Sequence, residues 1–134
     1  VATTQNQLIN RGDRDRAAVP VLAGAVIPTG TLFFVTAAGF ATNAATGNVL
    51  GGLAVRGGDN ASGASGDVTV EGWRAGQFVL PGTGFSQASV GDKVFAVDNY
   101  ALTTTAGSNI YAGKVTEFVS ATEVKFDLDA LADA

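Results

Sequence analysis

Residues 67–128 read DVTVEGWRAGQFVLPGTGFSQASVGDKVFAVDNYALTTTAGSNIYAGKVTEFVSATEVKFDL, and this stretch decides the fold class. Short runs rich in Val, Phe, Tyr and Thr alternate with Gly, Asp, Asn, Ser and Thr turns, and no helical period interrupts them. The clearest run lies at its end. Val124, Phe126 and Leu128 alternate with Glu123, Lys125 and Asp127, and a period of two predicts the first set on a core face and the second in water. Strands are also expected at 67–71, 77–80, 93–98, 100–104, 110–116 and 122–128. Regular short spacing of this kind predicts an all-β chain, a small antiparallel barrel or sandwich.

Working outward, Val19-Pro20-Val21-Leu22 and Ala25-Val26-Ile27 are short apolar runs. Pro28-Thr29-Gly30 is a turn signal, and residues 31–36 (TLFFVT) read as a strand. Residues 37–48 suit a loop or a loose hairpin. Residues 48–56 (NVLGGLAVR) read as a strand in which Gly51-Gly52 marks a bulge or a close backbone approach. Residues 57–66 (GGDNASGASG) have the composition of a flexible loop. The tail 129–134 reads as a helical turn or a fraying end.

Residues 1–18 differ from the rest and are read as an extended N-terminal arm, with the β-domain occupying 19–134. Leu8-Ile9 is a brief apolar anchor, and Arg11, Arg14 and Arg16 hold three of the eight basic residues of the chain. One reading is a solvated arm. The sharper one is a segment that orders on a partner, with Leu8 and Ile9 as anchors and Arg11, Arg14 and Arg16 as salt-bridging groups.

Composition narrows the function classes. The chain has 134 residues, 46% of them apolar, enough for one domain with a packed core. It has no Cys and no His, which removes thiol nucleophiles, His bases and Cys/His metal sites. A net charge of −4 argues against a general nucleic-acid binder. No apolar run approaches the roughly 20 residues that span a bilayer. The first residues lack the basic-then-apolar order of a signal peptide, so synthesis in the cytoplasm is expected.

Residues able to do chemistry are sparse. Arg11-Gly12-Asp13 matches a cell-adhesion tripeptide, but three residues carry little information and a loop reading is preferred. Asp59, Asp67, Glu71, Asp92 and Asp98 lack calcium-loop spacing, and Asp59-Asn60, Asp92 and Asp98-Asn99 read as turn chemistry. The serines have no His partner, and Gly57-Gly58 lacks the Gly-Lys-Ser/Thr of a phosphate loop. No catalytic, metal or cofactor residue is therefore assigned. Trp73, the only Trp, beside Arg74, is read as a candidate interface pair or as a lid on the core.

Several motifs in order resemble the capsid cement, or decoration, family of tailed bacteriophages. They are Val68-Thr69-Val70-Glu71-Gly72, Gln77-Phe78-Val79-Leu80-Pro81, Val90-Gly91-Asp92-Lys93-Val94-Phe95, Asp98, Leu102-Thr103-Thr104, Tyr111-Ala112-Gly113-Lys114-Val115 and the Val124/Phe126/Leu128 strand. Upstream, Gly30-Thr31-Leu32 and Gly52-Leu53-Ala54-Val55 fit more loosely, and the likeness spans about residues 19–128. What the resemblance implies is a non-enzymatic β-domain on the outer surface of a phage head. Its partner would be the major capsid protein and its usual state a homotrimer, with no cofactor, nucleic acid or membrane involved. The arm, with Arg11, Arg14 and Arg16, has no counterpart in that pattern. A second reading is a head-fibre or tail-associated module that binds a host surface or carbohydrate.

Overall fold

The computed structural model of the chain describes residues 4–6 and 15–130. In chain order the strands are β1 (Arg16–Pro20), β2 (Val26–Ile27), β3 (Leu32–Val35), β4 (Ala41–Thr42), β5 (Val49–Arg56) and β6 (Gly58–Asp59). They continue with β7 (Thr69–Trp73), β8 (Ala75–Pro81), β9 (Lys93–Asp98), β10 (Ala101–Thr103), β11 (Ile110–Ser120) and β12 (Glu123–Asp129). One short 3-10 turn, Gln87–Ser89, is the only helical element among the described residues. The chain is all-β.

Two five-stranded antiparallel sheets carry the fold. The first runs β1-β7-β5-β3-β4 and the second β10-β9-β11-β12-β8, while β2 and β6 form a small separate pair. Each large sheet curls until its outer strands nearly meet. Val21, just after β1, bridges Ala41 of β4, and Gly82, just after β8, bridges Leu102 of β10. Leu22 N–H donates to the Ala41 carbonyl at 2.8 Å. The architecture is a sandwich whose sheets each approach a barrel, so both sequence-predicted forms have a share in it. Curling of this kind withdraws sheet edges from solvent.

β12 behaves as its alternation requires. Val124, Phe126 and Leu128 are buried, Glu123 and Asp127 are exposed, and Lys125 is partly exposed. With Leu80, Val94, Ala96, Leu102, Ala112 and Val115 these residues form the larger core, completed from the first sheet by Leu32, Phe34 and Leu53. A smaller core covers the other face of the first sheet. It holds Val21, Ala25, Ile27, Phe33, Ala41, Ala54 and Val70. Phe33 and Phe34 are both fully buried because successive side chains of one strand enter different cores.

The small core explains the double glycine. A Cβ on Gly51 would lie 2.5 Å from the Phe33 ring, and one on Gly72 would overlap the same ring. The aromatic ring lies flat on backbone that only glycine leaves bare. The β3–β5 register also shifts between Phe33 and Phe34, so the expected irregularity is present.

Two readings differ from the structure. Strand β1 starts at Arg16, so residues 16–18, assigned to the arm, belong to the first sheet. The alternation of β1 is muted by its two alanines, which hid it in the sequence. The segment 57–66 is tied down, not slack. Gly58–Asp59 is β6, and Asn60 is 2% exposed. The Asn60 amide donates to the carbonyls of Val21 (3.1 Å) and Ala64 (2.9 Å), with Leu22 at 3.2 Å. Composition signalled slack, but one side chain supplies the bonds that hold the loop.

The turn aspartates behave as read at two sites. Asp98 accepts from Tyr100 N–H at 2.8 Å and Asp59 from Ala61 N–H at 3.0 Å. At Asp92 the turn is made by backbone instead: its N–H donates to the Ser89 carbonyl, and its carbonyl accepts from Val115 N–H, both at 2.9 Å.

Candidate interaction surface at the chain-end corner

β7 and β8 are nearly one strand, bent at Arg74 as the chain passes from the first sheet to the second. The backbone of Arg74 is held from both ends of the described stretch 15–130. Its N–H donates to the Asp15 carbonyl at 2.7 Å, and its carbonyl accepts from Ala130 N–H at 2.9 Å. Residues 1–14 and 131–134 therefore attach at one corner of the fold.

Trp73 stands at that corner. Cross-strand pairing places Arg16 opposite Trp73, Trp73 opposite Leu53, and Leu53 opposite Leu32. This row runs from an exposed cation through a half-buried indole to the buried core. The Arg16 guanidinium carbon sits 4.7 Å from the centre of the Trp73 ring. The cation is attracted to the ring face, and the stack shields the indole from water. Trp73 is thus both a lid on the larger core and the seat of Arg16. Of the residues singled out in the sequence, Arg16, Trp73 and Arg74 converge here, while Leu8, Ile9, Arg11 and Arg14 lie outside the described residues.

Beside the corner is an open depression of about 450 Å³ lined by Asp15, Ala75, Tyr111, Lys114, Asp127, Leu128 and Asp129. The sequence reading missed its polar groups. The alternation of β12 already turned Asp127 outward, but only strand pairing sets Lys114 of β11 opposite Asp127 and Ala75 opposite Asp129. The depression opens onto the outward face of the second sheet. There Phe95 and Tyr111 meet edge to face, with ring centres 6.0 Å apart. Lys93, Lys114, Glu117 and Asp127 are exposed around them. The hydroxyl of Tyr111 is pushed above its ordinary pKa by burial, then by the negative charges of Asp129 and Asp127.

Among the described residues no group of three Asp, Glu, His or Cys is close enough to hold a metal ion. Two ion pairs, Arg56–Glu71 and Lys125–Glu117, are exposed and long, both at 3.8 Å, and such pairs add little to stability. The outward face of the first sheet is covered by the smaller core, whereas no core cluster of the described residues covers that of the second sheet. Compared with known proteins, the chain matches no family model, no curated protein and no solved structure.

Proposed function

We propose that the chain is a bacteriophage capsid decoration protein, a non-enzymatic cement that sits as a homotrimer on the outside of the head and braces contacts between major capsid subunits. The observation that carries this reading is the convergence at one corner of Arg16, Trp73, Arg74 and the attachment point of residues 1–14. A basic and apolar segment fixed to a rigid corner, next to a bare sheet face, is a means of gripping a large protein surface. Extended segments of this kind add main-chain bonds to a partner, and arginines add charge-assisted bonds to its carboxylates. Cement works by multivalency: modest contacts repeated by a trimer gain effective concentration without new chemistry. The ordered motifs of residues 19–128 and the lack of His and Cys support the same reading. The aromatic pair on the bare face presents an edge, with ring planes 66° apart, which suits a protein contact better than the flat platform a sugar ring stacks on.

The test is direct. Heads of the virus that carries the chain, purified and imaged, are expected to show it on their outer surface in clusters of three around three-fold positions. Detection only in tails or fibres, or single isolated copies on the head, would overturn the proposal.

A further inference from the structure

We infer that the outward face of the second sheet, at its depression, is the receptor for the arginine-bearing segment Leu8–Arg14 of a second copy of this chain. The inference rests on the homo-oligomer proposed above and names the contact that would hold it together.

Charge is the first argument. Setting Asp15 aside, the depression presents two carboxylates, Asp127 and Asp129, against one cation, Lys114. The chain as a whole has only eight basic residues, and two of them, Arg11 and Arg14, lie in the segment that is attached at the rim of this depression. Apolar match is the second. Leu8-Ile9 is the apolar part of that segment, and the half-buried Phe95–Tyr111 pair is the aromatic part of the face. Reach is the third. Seven extended residues span roughly 23 Å, and a five-stranded sheet is about 19 Å across, so one segment can cover both the carboxylates and the rings.

A second copy as the donor follows from the homo-oligomer proposed above. Each copy then gives one segment and receives one, a head-to-tail contact that makes a ring when its rotation closes, as in the trimer proposed above.

Charge exchange in the full-length chain tests this, with self-association followed by sedimentation velocity. Asp127→Lys with Asp129→Lys reverses the receptor, and Arg11→Glu with Arg14→Glu reverses the segment. Each double variant is expected to weaken association by about tenfold or more, as expected for the reversal of more than one exposed pair. All four changes in one chain are expected to restore it. Far-UV circular dichroism checks that each variant is folded, and the milder Asp127→Asn with Asp129→Asn serves if the lysines prevent folding. A monomeric parent chain, association indifferent to both reversals, or failure of the four-fold variant to recover would each overturn the inference. No capsid enters this experiment. In a separate assay, failure of the self-associated parent protein to bind capsids would count against the cement reading alone.

Discussion

Phe33 rests on glycine. A methyl on Gly72 would overlap its ring and approach the Leu53 carbonyl oxygen to 2.9 Å, and neither backbone nor buried ring has space to yield. Gly72→Ala is therefore expected to cost about 1–3 kcal/mol, the range of an overpacked core, measured by urea unfolding. A change below a few tenths would show that the ring moves aside freely. Tyr111 offers a second test. Its folded pKa lies above the ordinary value of 10.0, through burial first and then Asp129 and Asp127. A raised pKa means that the unfolded chain releases this proton first. The contribution of Tyr111 is fully present below about pH 10 and is lost as pH rises through the folded value. Urea midpoints at pH 8 and pH 11 should fall further for the parent than for Tyr111→Phe, and equal falls would sink the idea. At this scale the sequence was legible where chemistry is local. Asp59 and Asp98 bond amides two residues on, as their type predicts. It was not legible where distant residues meet. Nothing near Gly72 announces Phe33, and nothing near Arg16 announces Trp73.

Strands with one wet face wrote themselves into the sequence, and strands with two dry faces or small side chains did not. β12 alternates because one face meets the larger core and the other meets solvent. Phe126→Ala is accordingly expected to cost about 3–5 kcal/mol, whereas Lys125→Ala on the opposite face should stay within about 0.5 kcal/mol. Comparable losses at both positions in denaturant titrations would mean that the outward face is also buried. β3 has no alternation, since Leu32, Phe33 and Phe34 are all fully buried between two cores, so its strand nature was legible and its facing was not. β1 was half missed for a related reason: its alanines carry almost no pattern. β6 was read as slack because glycine and serine signal flexibility by composition, while the hydrogen bonds of Asn60 that oppose it come from tertiary structure. The site followed the same rule. Residue types at the corner could be named from sequence, but the depression depends on β11, β12 and β8 lying side by side.

The two cores share a wall, and this decides how the whole molecule should unfold. The first sheet gives Leu32, Phe34 and Leu53 to the larger core and Phe33, Ala54 and Val70 to the smaller one. Neither core can melt while the sheet between them stays intact, because exposing one face of β3 removes the support of the other. The chain should therefore unfold as one cooperative unit. Val70→Ala in the smaller core and Val124→Ala in the larger one each remove buried methyl groups and are expected to cost about 2 kcal/mol. For a domain of this size that lowers Tm by roughly 5–12 °C. In both variants Trp73 fluorescence, which reports the corner between the sheets, should change in step with far-UV circular dichroism. If Val70→Ala instead loses circular dichroism in two steps, with Trp73 following only the later one, the smaller core is an independent appendage and the shared-wall argument fails. The result also bears on function. A body that yielded only as a whole would pass load from its corner through both sheets, which is what the brace proposed above would require.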